Sequence, residues 1–339
     1  MTVNERGQTR RAEGEARWAA ACGVPAQQVV RHADHVRLVA GDAVWAAWPV
    51  AERWAARVPL FARLCARMAV PEGVRLPVVR RAKDGRAVAR LDAVAYVVTE
   101  WDAAAAPAYP AQAGYALGAL HAASATLGER IEPALRADGT WPRRWRKRLA
   151  QVERKRDLLA AIGIGSAADA WFLETYTYFT QRAQTAVRYA EAGAFGAVAP
   201  CLTAFPLWPV HEGTGGTCWI GFPHKWYWDL PARDVGRWCR MWVLEEGDLD
   251  AWADGYDAQM AYADPDIRRA FWEAVYAWLL FPERWMSEWT EQSVERAEPE
   301  AACAAIAEEE QRVEALLSWL PDWVGRRYGV RIRRIDWLG

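Results

Sequence analysis

Apolar positions along this chain repeat with two different spacings. In the first hundred residues the spacing is short. Between Val29 and Val50, in VVRHADHVRLVAGDAVWAAWPV, apolar and polar side chains partly alternate, with Gly41-Asp42 between the halves. That pattern predicts a hairpin. Residues 52–69 then set Trp54, Val58, Phe61, Leu64, Cys65 and Met68 on one helical stripe, and Pro59 predicts a kink or break near its middle. Residues 77–80, 87–91 and 93–101, with the Asp84-Gly85 turn among them, read as further strands. After the run Ala103 to Pro107 the period becomes helical. Tyr115, Leu117, Leu120 and His121 mark one helix. Residues 143–160 form a second, with Trp145, Leu149, Val152 and Leu159 on its apolar stripe, and residues 166–192 a third. Residues 198–229 mix Pro, Gly and apolar runs and fit a loop with a short hairpin. Helices are predicted again over 232–246, 248–262, 265–281 and 300–320, and VRIRRIDWLG at the end reads as a short strand or tail.

Composition narrows the class. A chain of 339 residues with 53% hydrophobic and 25% charged residues has the balance of a soluble globular protein and can bury a large core. A net charge of −1 gives no field that would favour nucleic acid or an anionic membrane. No run of 18 apolar residues is present, and the polar start MTVNERGQTRRAEGEARW has no secretory core segment. The expectation is a protein made and kept in the cytoplasm of its producing cell. Six cysteines (Cys22, Cys65, Cys201, Cys218, Cys239, Cys303) lie mostly in apolar stretches without a CxxC pair, so they read as buried thiols. Tryptophan occurs 22 times at core-like spacings over the whole length, which favours packing over ligand stacking.

Three segments carry a resemblance. Tyr96-Val97-Val98-Thr99-Glu100-Trp101 resembles the strand that closes the small lobe of the spore-coat kinase-like (CotS) group and its aminoglycoside-phosphotransferase relatives. The segment from Ala116 to Ser124, ALGALHAAS, resembles the LaxLHxxS helix that opens their large lobe. Trp228-Asp229-Leu230-Pro231-Ala232-Arg233-Asp234 is similar to the D-x-P-x-R-D-L-A segment after the metal-binding loop. Within the group, residues 222–234 are similar to the P-T-D-W-V-F-D-H-P-S-R-D run of the YutH-type branch, and Leu279-Leu280-Phe281-Pro282 matches its LLFP element. The resemblance covers roughly residues 30–320. It implies an α+β, two-lobed kinase-like fold, with a small lobe over 1–102 and a large helical lobe over 103–339.

That resemblance also says what chemistry to look for. Phosphoryl transfer of this type needs a small-lobe lysine on the phosphates, an aspartate that orients the attacking hydroxyl, and an asparagine with a second aspartate on Mg²⁺. No lysine precedes Lys83, and the family's lysine would fall near Ala47 or Trp48. The H-G-D-x-H-x-x-N loop corresponds to residues 200–209, where Leu202, Thr203 and Ala204 stand and no acid or asparagine occurs. Asn4 is the only asparagine in the chain, so no shift of register restores the amide. The I-D-F or I-D-W motif corresponds to Ile220-Gly221-Phe222, again without an acid, and His224 and Lys225 follow. No catalytic, cofactor-binding or metal-binding residue is therefore expected, and no cofactor. His121, Asp229 and Asp234 are expected as structural anchors.

Other signals are weaker. The Gly-rich run Glu212 to Thr217 matches no phosphate-binding pattern and reads as a hairpin turn. Cys201, His211, Cys218 and His224 do not have zinc-ligand spacing. Eight cationic residues crowd 143–156; they read as a solvated face, or as a grip for an anionic partner. The expectation is a catalytically degenerate kinase-like protein, a pseudokinase associated with sporulation. It would pass from the mother-cell cytoplasm to the spore coat and bind other coat proteins, with self-association as a further option and with no nucleic acid or membrane as partner. Trp45, Trp48, Trp208 and Trp226 are candidates to fill its cleft. The alternatives are an atypical phosphotransferase recruiting Glu100, Asp102, Glu212 or Asp229, and a binding protein with a Trp-lined pocket for a small ligand.

Overall fold

A computed structural model describes residues 16–32, 35–127, 131, 135–137, 139–194, 196, 198–203, 210–221, 227–245, 248–290 and 299–335. The chain divides into two compact units. One comprises Met1–Leu135, Ala204–Tyr227 and Asp250–Met260; the other comprises Arg136–Thr203, Trp228–Leu249 and Ala261–Gly339.

The first unit opens with a helix, α1, over residues 16–22. Strands β1 (Gln28–Arg31), β2 (Val36–Ala40) and β3 (Ala43–Val50) follow, then helices α2 (Glu52–Ala55) and α3 (Val58–Cys65). Next come β4 (Val74–Arg75), β5 (Val79–Arg80), β6 (Ala89–Leu91), β7 (Val94–Trp101), β8 (Ala106–Pro107) and helix α4 (Pro110–Ala125). The main sheet has the order β1-β2-β3-β7-β5, with β6 also on β7, and every pairing is antiparallel. Side chains alternate across its two faces. Leu38, Ala47 and Val98 pack on one side with Trp18 and Cys22 of α1. Val50, Ala95 and Val97 pack with Ala55 of α2 and Val58 of α3. Pro59 breaks the predicted helix into α2 and α3 because it stands in the first turn of α3, where its missing N–H has no intrahelical carbonyl to lose.

The second unit contributes α5 (Trp141–Ile162), α6 (Ala167–Tyr189) and strand β9 (Cys201–Thr203). Back in the first unit, β10 (Val210–Glu212) and β11 (Cys218–Ile220) form a hairpin whose turn is the Gly-rich run. This hairpin pairs with β8 and, in parallel, with β4. Strand β12 (Tyr227–Asp229) pairs with β9. Helices α7 (Ala232–Glu245), α8 (Leu249–Met260), α9 (Pro265–Leu280), α10 (Glu283–Thr290) and α11 (Pro299–Tyr328) complete the chain. Helix α9 buries nearly every residue from Ala270 to Leu280, and α6, α7 and α11 pack around it. Asp264 caps it by accepting from the N–H groups of Asp266 and Ile267.

Three differences from the sequence pattern have local causes. Strands β4 and β8 are two residues long, too short to show a period. Helix α10 is not predicted by the pattern; it is a single eight-residue element, although Trp285 and Met286 are buried in it. Helix α11 continues past Leu320 because Leu320, Trp323 and Val324 remain on its buried side. All six cysteines are free and buried, and burial pushes the Cys65 and Cys239 thiols up to about 12. Among the described residues no helix is long and apolar enough to cross a membrane.

Candidate functional site

Strand β3 runs between β2 and β7, and its alternation decides what each residue faces. Val44, Ala46 and Trp48 share a face with Trp101 of β7. Ala47 points to the opposite face and is buried against Leu38 and Val98. Of the two positions where the family's lysine would fall, Trp48 therefore lies on the Trp101 side of the sheet and Ala47 does not. The Trp48 indole N–H donates to Thr99 Oγ1 at 3.2 Å, so its one polar atom is satisfied inside the sheet.

Around Trp48 the rings are continuous. His35 lies tilted on Trp48 at 4.4 Å between centroids, and His32 stacks on His35 at 4.6 Å. Trp101 meets Trp48 edge to face at 5.3 Å. The hairpin supplies the other wall: His211 and Trp219 are cross-strand partners on β10 and β11, and both contact Trp101, at 4.9 and 6.4 Å. Aromatic pairs of these geometries contribute about 0.5–1.5 kcal/mol each beyond burial. Trp45 lies elsewhere, under the Arg80 guanidinium at 4.6 Å. Trp208 and Trp226 lie outside the described residues.

The strand end next to this cluster is stapled to the hairpin. Asp102 accepts from the backbone N–H of Ala104 at 2.7 Å, and from the N–H and hydroxyl of Thr214 at 2.8 and 3.3 Å. Partial burial works against its ionised form. The hydrogen bonds from Thr214 and Ala104 outweigh that and hold its carboxyl below the usual carboxylate value. Glu100 lies opposite Trp45 in the register, on the sheet face away from Trp101.

In the second unit Asp229 is fully buried. Its carboxylate accepts from the Trp141 indole at 2.7 Å, the Leu230 N–H at 2.8 Å and Arg233 Nη1 at 3.2 Å. Burial pushes its carboxyl up to about 6 despite the Arg233 charge and these hydrogen bonds. Arg233 also donates to Thr203 Oγ1 at 3.2 Å, which ties β9 to the start of α7. Leu202 and Thr203 are fully buried. Asp234 is buried in the first turn of α7. Gly221 is buried after β11, while Ala204, Phe222, His224 and Lys225 lie outside the described residues. In the first unit His121 is fully buried, with Nδ1 paired to the Tyr256 hydroxyl at 2.9 Å.

On the basic helix α5, Trp145, Leu149, Val152 and Leu159 form the buried side. Among the described residues, four of the eight cations have carboxylate partners: Arg146 with Glu191, Arg148 with Glu283, Lys155 with Asp169 and Arg156 with Asp157. Sequence reasoning singles out Trp48 but misses His35, His211 and Trp219 as its company. Strand alternation on β3 and the hairpin turn at Glu212 to Thr217 are legible in sequence; that the hairpin brings His211 and Trp219 to Trp101 is a long-range contact with no local signal.

Residues 22–319 match the sequence model of the family described as "Spore coat putative kinase YutH". The chain belongs to this family. Solved structures similar to this YutH family member show the fold. An aminoglycoside phosphotransferase from Alicyclobacillus acidocaldarius is 16% identical, with a TM-score of 0.62 over 89% of this chain and 93% of its own. The amicoumacin kinase hAmiN, solved with AMP-PNP and Ca²⁺, is 10% identical, with a TM-score of 0.59 over 93% and 96%. A microcompartment-associated aminopropanol kinase is 16% identical, with a TM-score of 0.57 over 90% and 98%. The fold is thus the kinase-like, aminoglycoside-phosphotransferase fold, with a β-rich N-terminal sheet and a mostly helical remainder. A search of curated proteins finds no match.

Proposed function

We propose that this YutH family member is a pseudokinase: a kinase-shaped protein that acts by binding, as a component of the spore coat, and does not move a phosphoryl group by the usual route. One observation carries the reading. Trp48, one of the two positions where the resemblance would put the family's lysine, has its indole packed against His35 and Trp101 with its N–H bonded to Thr99, and Ala47, the other, is buried on the opposite face.

The residues present do not fit a Mg–nucleotide. A buried indole offers no charge to phosphate oxygens, and Gly221 offers no side-chain oxygen to a hard cation. Asn4 is the only side chain of its type in the sequence. Of the four acids that a relocated chemistry would recruit, Glu212 aside, each is engaged or turned away. Asp102 is committed to Thr214, Asp229 to Trp141 and Arg233, and Glu100 lies on the other face of the sheet. The spore-coat setting comes from the family, and with it the proposal that the chain is made in the mother cell and joins other coat proteins.

The test uses the purified full chain. With γ-labelled ATP and Mg²⁺, no label is expected on protein or on small hydroxyl acceptors. Titration with ATP and Mg²⁺ is expected to leave the melting temperature unchanged. Mg²⁺-dependent, saturable stabilisation, together with label transfer abolished by one substitution in the aromatic cluster, would sink the proposal.

A further inference from the structure

A groove of about 600 Å³ lies in the first unit, between helices α2–α3 and the segment 79–90, and shares no residue with the aromatic cluster around Trp48. Its floor is apolar and made of short side chains, among them Ala55, Pro59, Ala62, Val79 and Val88. Its rim is cationic: Arg63, Arg81, Arg86 and Arg90 stand against one acid, Glu52. Four positive charges less one negative leave three positive on the lining, in a chain whose net charge is −1.

The arginines are only partly used. Arg90 Nη2 meets Glu52 Oε1 at 2.5 Å, which consumes the lining's one carboxylate. Arg81 donates to the Gly85 carbonyl at 2.9 Å, so its hydrogen bond is to a neutral group. The Arg86 contact with Asp84 is long, at 3.6 Å, and 69% of its side chain is exposed. Arg63 forms no ion pair among the described residues and is exposed. Guanidinium groups left to solvent beside an apolar recess are ready for planar, two-oxygen partners.

We propose that this groove docks an acidic peptide segment of a partner protein, with an apolar side chain on the floor and flanking carboxylates on Arg63, Arg81 and Arg86. The volume is that of a ligand pocket and far exceeds an inorganic anion, and the apolar floor would gain nothing from a bare ion. Charge alone would be served by a flat basic surface. The combination of a recess and a cationic rim selects a chain with both features. The inference does not depend on the reading of the cleft: an active kinase would dock such a segment equally well.

The experiment is fluorescence anisotropy on the full chain, with a labelled synthetic peptide of glutamates flanking a central Phe-Trp pair. Saturable, salt-weakened binding is expected. It should fall at least about tenfold when the pair is replaced by Ser-Ser, as expected when a buried anchor is lost. A similar fall is expected in the double variant Arg63→Glu/Arg86→Glu, and separately in Ala62→Trp, which fills the floor. Melting curves establish that each variant folds, and either variant alone suffices. No binding by the unaltered chain, equal binding of the Ser-Ser peptide, or undiminished binding by a folded variant overturns the proposal. So does self-association of the chain that the charge variant abolishes and the peptide does not compete with, because the occupant would then be a second copy.

Discussion

At Gly213 the site has no room for a side chain. A β-carbon there would stand 2.5 Å from Asp102 Oδ2 and 2.8 Å from the Trp219 indole nitrogen. Gly213→Ala must therefore displace the carboxylate that holds Thr214, or the ring that lines the aromatic cluster. We expect a loss of about 1–3 kcal/mol, the usual range for overpacking, seen as a lower midpoint in urea. A change in tryptophan fluorescence should accompany it. An unchanged midpoint would mean that the Asp102 staple gives way at no cost. Residue types at this scale are partly legible from sequence. Trp48 can be named, with Ala47, because the resemblance puts the family's lysine at that point of the strand. The use of Asp102 as a staple cannot, because its partner Thr214 is more than a hundred residues away and the pairing depends on where the hairpin lands.

Helices α4 and α8 show the same constraint between elements. A β-carbon at Gly255 would lie 1.9 Å from the Ala111 carbonyl oxygen, backbone that cannot swing aside. The two helices meet at this point with no side chain between them, and further along α4 His121 meets Tyr256. Gly255→Ala is expected to force the helices apart and cost about 3 kcal/mol or more, at the upper end of overpacking. The check is a denaturant curve with a reduced midpoint, together with faster hydrogen exchange of the α4 amides. A midpoint within error of the unaltered protein would show that the helices can part freely. Most elements are legible, because strands β2, β3 and β7 and helices α5, α6 and α9 are long enough to display a period. What fails is short or decided by partners. β4 exists because β11 runs alongside it, and β8 because β10 does.

Across the second unit, buried and half-buried charges, Glu283 among the latter, shape the pH response. Glu283 faces Arg237 at 3.0 Å and Arg148 at 3.8 Å. Burial would raise its carboxyl, but these arginines more than offset that and hold it at about 2. A carboxyl depressed on folding stabilises the fold above its ordinary value near 4.5, and that contribution is lost as pH falls toward 2. Glu310, between Arg240 and Arg182, adds to the same acid limb. Asp229 has the opposite sign. Its carboxyl is raised on folding from 3.8 to about 6, so the folded state binds the proton more tightly and stability declines as pH rises through that window. Asp229→Asn is therefore expected to flatten the melting temperature between pH 4 and 6. Glu283→Gln should instead shrink the loss below pH 4.5. Circular-dichroism melts across pH 2–7 check both, and an unchanged slope in Asp229→Asn would refute the assignment. The amino-acid sequence by itself determined the run of strands and helices, through period, and, through the motifs that resemble the family's, the class of fold and the absence of lysine, acid and asparagine from the segments corresponding to its transfer chemistry, because motifs and residue types are read along the chain. Only the tertiary structure decided that Trp48 rather than Ala47 meets Trp101, that Asp102 is spent on Thr214, and that a cationic groove opens beside α3. Those outcomes depend on which distant segments pack together, and burial and pairing at long range leave no period in a sequence.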